Sequence, residues 1–169
     1  MTLRLRPYRV HDEAAAVAIH EAMLAEDFPF LLYWNPTMQW AEFLAALERQ
    51  RRALNLTKDQ VRAIQLAAVV DGELVGRVSI RFDLNDFLLM EGGHIGYGVA
   101  PGFRRRGYAS AMLGQALVIV RADGVDRVLV TCDDGNVASM KVIERHGGVL
   151  ESIISPENGG SDVRRYWIE

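Results

Sequence analysis

Val99-Ala100-Pro101-Gly102-Phe103-Arg104-Arg105-Arg106-Gly107-Tyr108-Ala109-Ser110 runs from the end of an apolar strand into a helix through a loop crowded with arginine and glycine. A helix start presents backbone N–H groups with no internal partner, and its aligned peptide dipoles place about half a positive charge there. Anions bind readily at such a point. Gly107 admits a ligand close to the backbone, Ala109 is nearly as small, and Arg104, Arg105 and Arg106 add cations whose planar forks suit phosphate oxygens. By itself the stretch reads as a nucleotide or coenzyme pyrophosphate site, and its plain structural counterpart is a solvated basic turn. Two familiar phosphate loops fail against it. A Walker loop needs Gly-Lys before Ser or Thr, and no Gly-Lys pair occurs in the chain. Gly93, Gly96 and Gly98 are spaced G-x-x-G-x-G inside a strand rather than G-x-G-x-x-G after one, which argues against a dinucleotide-binding fold.

A second segment belongs with the first. Val128 to Thr131 reads as a buried strand and Cys132 to Gly135 as a turn; Asn136 then opens a helix that Gly147 and Gly148 close. The two segments together resemble the signature of the GNAT family of N-acetyltransferases, in which a strand ending in Val-x-Pro is followed by Arg/Gln-x-x-Gly-x-Gly/Ala. Val99 and Pro101 match the lead-in, and Arg104, Gly107 and Ala109 match the loop. The resemblance makes the Asn136 helix the other wall of a coenzyme cleft.

Length and composition agree with one domain over residues 1–169, half of them apolar and sufficient for a sizeable core. A formal net charge of −3 without long charge runs argues against a nucleic-acid partner, whose recognition rests on neutralising phosphates. Cys132 is the only cysteine, so no internal disulfide forms, as in a reducing compartment. Neither a signal-peptide core nor a stretch of membrane-spanning length is present, so the expected setting is the cytoplasm, with no membrane partner. His11, His20, His94 and His146 lack the spacing of metal ligands, and no metal is expected.

Along the chain, Leu3 and Leu5 alternate with Arg4 and Arg6 as a short strand that Pro7 ends. Asp12 is the expected cap of a first helix whose apolar face draws on Ala15, Val17, Ala18, Ile19, Ala22, Met23 and Ala25. Phe28 to Pro36 is an aromatic loop, and a second helix runs from Met38 or Gln39 to Arg52. Asp71-Gly72 between two apolar runs predicts a hairpin of strands over 67–70 and 74–82. A loop over 83–93, a strand over 93–99 and an amphipathic helix over 109–121 follow. The last strands are expected over 149–154 and 163–168. The helix over 109–121 turns Met112, Leu113, Ala116, Leu117 and Val120 inward. This order is that of the resembled family. It implies an α/β (α+β) fold, a mixed, mostly antiparallel central sheet of about seven strands flanked by about four helices.

The resemblance implies transfer of an acetyl group from acetyl-CoA, as acyl donor, to an amine. Backbone groups of Tyr97, Gly98 and Val99 would pair with the pantetheine arm. Arg104 through Ser110, including Tyr108, would cradle the pyrophosphate, and the Asn136 side chain would contact the coenzyme with Ser139 near its tail. Asn136 also suits a plain helix cap. For the proton acceptor, Glu91 and His94 sit at the entrance to the strand; a lone strand histidine is more often structural. Many family members carry a tyrosine shortly after the second-motif helix, near the leaving thiolate. Here residues 147–160 contain none, and Tyr166 is the next, on the final strand where packing beside Trp167 is its plain role.

Acceptor choice is expected in residues 28–38 and 83–91. Asp83, Asp86 and Glu91 favour a cationic small-molecule or peptide amine; Tyr33 and Trp34 hold an extended chain, close the core or form a homodimer contact. The rival reading is a non-catalytic acyl-CoA sensor on the same fold, which the missing tyrosine favours.

Overall fold

The computed structural model describes residues 2–169. The chain forms β1 (Arg4–Pro7), α1 (Glu13–Leu24), α2 (Trp40–Arg51), β2 (Ala63–Val70), β3 (Glu73–Arg81), β4 (Ile95–Val99), α3 (Tyr108–Ala122), β5 (Val128–Asp133), α4 (Val137–Arg145), β6 (Val149–Ile154) and β7 (Val163–Ile168). The strands lie in two groups, β1-β2-β3-β4 and β5-β7-β6. All five ladders within them are antiparallel. Asp71 and Gly72 turn the β2–β3 hairpin with φ of 49° and 88°, the paired positive angles of a type I′ turn. The strand over 67–70 begins four residues earlier than its apolar run predicts, because Gln65 joins the ladder with its amide bonded to Leu32.

β2 supplies one side chain to each face in turn. Leu66, Ala68 and Val70 join the core under α3, and Ala67 joins the core under α1 and α2. The inward face predicted for α3 is the one observed: Met112, Leu113, Ala116, Leu117 and Val120 are all buried. The large members of such a set each contribute roughly 1.5–3 kcal/mol through burial. Helices thus cover both faces of the first strand group, α3 on one and α1 with α2 on the other.

Two expectations near the start of the chain are corrected. Asp12 does not cap α1 with its side chain. It is buried, takes the Arg6 fork at 2.6 and 2.8 Å, and accepts the Arg9 N–H at 2.7 Å. A buried carboxylate needs that full set of donors, which leaves none of it for the helix. The buried stripe of α1 is Ala16, His20 and Met23 rather than the wider apolar face. His20 lies inside because its Nδ1 accepts the Leu31 N–H at 2.9 Å, so a polar residue fixes the aromatic loop.

No ladder joins β4 to β5. One residue bridges them: the His94 N–H donates to the Leu129 carbonyl at 2.7 Å, and the Leu129 N–H donates to His94 Nδ1 at 2.9 Å. Gly93 makes the approach possible. Its φ is +63°, and a Cβ there would stand 2.7 Å from the Leu129 carbonyl oxygen. Ahead of it the loop over 83–93 winds into a π turn, Leu88–Gly92.

Candidate active site

Gly107 stands at the N-terminus of α3 with φ +81°, and no side chain caps the helix. The N–H groups of Tyr108, Ala109 and Ser110 have no acceptor among the described residues; the first to return inside the helix is that of Ala111, to the Gly107 carbonyl at 3.1 Å. A Cβ on Gly107 would meet nothing within 4 Å. Three free donors at the positive end of a fifteen-residue helix therefore face open space. The arginines divide the work differently from the sequence expectation. Arg104 forks onto Glu26 at 3.1 and 2.6 Å and reaches the Val99 carbonyl at 3.3 Å, so it braces the loop against the end of α1. Arg106 turns back to the Gly102 carbonyl at 3.3 Å and lies over Phe103. Arg105, held at φ +63°, alone of the three has an exposed side chain with no partner among the described residues.

The edge of β4 continues from this loop. Arg81 N–H donates to the His94 carbonyl at one end of the β3–β4 ladder, and Ala100 N–H donates to the Val75 carbonyl at the other. Antiparallel alternation between those points turns the N–H and C=O of Gly96 and Gly98 toward β3, and those of Ile95, Tyr97 and Val99 away from it. The groups facing away meet no strand, because β5 does not pair there. Opposite stands α4. Asn136 caps it, with Oδ1 accepting the Ser139 N–H at 3.0 Å, and the Ser139 hydroxyl lies 3.4 Å from Tyr97 Oη. Burial pushes the Tyr97 phenol up to about 12, so it stays protonated as a donor. His146 meets Ser110 Oγ at 3.0 Å and ties the end of α4 to the first turn of α3.

The three catalytic candidates occupy different settings. Glu91 lies in the π turn, where its carbonyl accepts the Thr131 hydroxyl at 2.5 Å while its carboxylate has no partner among the described residues. His94 is buried, and its Nδ1 is taken by Leu129. Neutral imidazole bonded that way carries its proton on Nε2 and has no free lone pair, and burial lowers its pKa further from the ordinary 6.5. Tyr166 is fully buried in the core, with its hydroxyl donating to Glu144 at 3.1 Å. Cys132, lifted to about 11 by burial, is no thiolate at neutral pH.

Residues 2–149 match the family model of the acetyltransferase (GNAT) domain. The chain belongs to the GNAT family. Among curated proteins, none matches the sequence. Similar solved structures include RimJ of Mycobacterium smegmatis in complex with CoA-disulfide, 23% identical over 98% of this chain and 81% of that one, TM-score 0.73. YncA of Salmonella typhimurium with its cofactor acetyl-CoA is 16% identical, over 100% of this chain and 94% of that one, at 0.68. Microcin C7 self-immunity acetyltransferase MccE in complex with acetyl-CoA and AMP is also 16% identical, over 98% and 91%, at 0.68. At these identities the likeness is one of fold. The GNAT match ends at Val149, so all of the β6–β7 hairpin but its first residue, Tyr166 included, lies beyond it.

Sequence reasoning missed the two side chains that dominate the other face of β4 in this GNAT chain. Arg77 and Arg81 project from β3 on the same side, and both guanidinium groups stand over Gly96. A Cβ there would lie 3.3 and 3.8 Å from Arg81 Nη1 and Nη2, and 3.7 Å from Arg77 Nη1. Arg77 is 4% exposed, yet its only bond is from Nη2 to the Pro29 carbonyl at 3.2 Å; Nε and Nη1 are buried without partners. Phe28 covers Gly98 beside it and takes the Arg77 guanidinium 4.9 Å from its ring centre. The signal was present in the sequence: positions 77, 79 and 81 share one face of a period-2 strand whose other face is Val78 and Ile80. Where Asp83, Asp86 and Glu91 pointed to a cationic acceptor, the side chains over Gly96 are basic.

Proposed function

We propose that this GNAT chain transfers the acetyl group of acetyl-CoA to a primary amine by direct attack within a ternary complex. The observation that carries the reading is the line of free backbone donors. It starts at the Tyr108–Ser110 N–H groups and continues along the Tyr97 and Val99 edge of β4, where no strand pairs. In this reading the α3 N-terminus, with Arg105, holds the pyrophosphate, and β4 holds the pantetheine arm as a strand would be held. Bound there, acetyl-CoA supplies an acetyl group activated as a thioester. The Val99 N–H stabilises charge growing on the carbonyl oxygen, an effect on the order of 2.7–4 kcal/mol for a preset donor. The amine reaches that carbon from the Gly96 side of β4, past the Arg77 and Arg81 guanidinium groups. As the C–N bond forms and the C–S bond breaks, the amine proton passes to Glu91, the one candidate carboxylate left free, and from there to solvent. His94 fixes the bridge between the strands. The leaving sulfur takes its proton from water, because the Tyr166 hydroxyl is committed to Glu144.

That commitment is also what favours the sensor reading, and one experiment separates the two. Acetyl-CoA at a hundred times its Kd contributes about 2.7 kcal/mol by mass action and is expected to raise Tm by roughly 5–10 °C. Free thiol is expected above the hydrolysis background when amines are supplied. Stabilisation with no turnover on any amine makes the chain a sensor; no stabilisation removes both readings.

A further inference from the structure

Among the described residues, seven arginines meet a side-chain carboxylate: Arg6, Arg51, Arg62, Arg104, Arg127, Arg164 and Arg165. Arg77 and Arg81, in the interior, do not. Arg81 is partly buried, and its bonds run from Nη1 to the Gly92 and Gly93 carbonyls at 3.1 and 3.5 Å, so neutral oxygens alone receive both guanidinium groups. Two like charges converging over one glycine without a counter-ion, one of them buried, are costly to a fold. Burial lowers the affinity of both guanidinium groups for a proton, and the Arg81 charge adds to the effect on Arg77, held down to about 10; both remain cationic at neutral pH. The arrangement lacks an anion.

We propose that Arg77 and Arg81 form the carboxylate-binding half of the acceptor site, so that the substrate is a small amino acid carrying its amine and a carboxylate in one molecule. The proposal rests on the acetyl-transfer reading of the same site and names the acceptor class within it. Arg77 Nη1 is buried and unpartnered, and it converges with both Arg81 terminal nitrogens on Gly96, two residues from Gly98 and three from Val99. A strand rises about 3.4 Å per residue, so an anion held over Gly96 sits within one small molecule's length of the carbonyl that Val99 would polarise. Gly96 lets both guanidinium groups come this close to the strand: a Cβ there would stand 3.3 Å from Arg81 Nη1. Planar guanidinium forks match a carboxylate, and Phe28 walls the site from water. An amine without an anion leaves both charges unanswered. A cationic amine such as a polyamine adds a third charge to them.

The test pairs α- and ω-amino acids with their carboxamides, in the presence of acetyl-CoA, and reads kcat/KM from thiol release. Because a charged hydrogen bond contributes about 1.5–3 kcal/mol, the carboxylate member is expected to win by on the order of tenfold to a hundredfold. R81Q is expected to collapse that preference toward unity through the carboxylate KM, with the acetyl-CoA thermal shift kept. R77M removes an unpaired buried charge, so it is expected to hold or raise the Tm of the free protein while losing the preference. Carboxamides turned over as well as carboxylates, or R77M that lowers Tm and keeps the preference, would overturn the assignment and leave acetyl transfer standing. An absent acetyl-CoA shift strikes the transfer reading instead. The arginine pair is then read by calorimetry with N-acetyl amino acids against N-acetyl carboxamides, where equal or undetectable binding of the two removes it.

Discussion

At Arg105 and Gly107 the chain adopts positive φ twice within three residues, and the two positions ask different things of their side chains. Gly107 needs its hydrogen: an alanine there carries about 1–2 kcal/mol of left-handed strain, although its Cβ would touch no protein atom. G107A is therefore expected to lower the Tm of the free protein by roughly 2–8 °C. It is also expected to abolish the acetyl-CoA shift, because the added methyl occupies the space before the free N–H groups. Arg105 bears similar strain with an exposed side chain that no described residue engages. Strain kept at a residue without structural partners points to a ligand as its beneficiary. R105G is expected to raise the Tm of the free protein and shrink the coenzyme shift, with both read in one thermal-melt series. A larger shift in R105G would take Arg105 out of the cradle.

Among the elements, the junction of β4 with β5 rests on one residue, through its backbone N–H and its imidazole. His94 is held below its ordinary pKa of 6.5 chiefly by burial and next by the Arg81 charge, and burial lowers His20 as well. The sign follows from proton counting. Just below pH 6.5 an unfolded chain protonates these rings and the folded one does not, so stability is full above that pH and falls as pH drops through the window beneath it. Urea midpoints measured between about pH 7 and pH 5 are expected to fall, and H94Q, which keeps an acceptor for Leu129 while losing the titration, is expected to flatten part of the slope. An unchanged slope in H94Q would place the titration elsewhere. The same residue marks the limit of what the sequence told. Elements with local causes were readable: the Asp71-Gly72 hairpin, the α3 face, the helix that Asn136 caps. His20 and His94 were not, because a polar side chain inside an apolar face is justified by a partner 11 or 35 positions away, as Leu31 is for His20 and Leu129 for His94; the strand period put Arg77 and Arg81 on one face, but the closing of Phe28 and Pro29 over that face depends on a loop 48 positions away. The Arg104 pairing was hidden for the same reason. Its Glu26 partner is 78 residues distant.

For the whole molecule the decisive feature is that two antiparallel strand groups meet without a shared ladder along β4. A sheet edge left unpaired in the interior of a fold exposes backbone donors that must go somewhere. Here the two sides of β4 differ residue by residue, which makes the cleft measurable by amide hydrogen exchange. In the free protein the Gly96 and Gly98 N–H groups, turned to β3, are expected to exchange slowly, while those of Tyr97 and Val99 exchange faster because no strand receives them. Saturating acetyl-CoA is expected to slow Tyr97, Val99 and the Tyr108–Ser110 amides together, since one extended ligand would engage the strand edge and the helix start at once. Protection of the helix start without β4 would mean that the anion site takes a phosphate without aligning an acyl group. Equal exchange on both sides of β4 in the free protein would mean that the cleft closes on itself, and the proposed route for the pantetheine arm would be wrong.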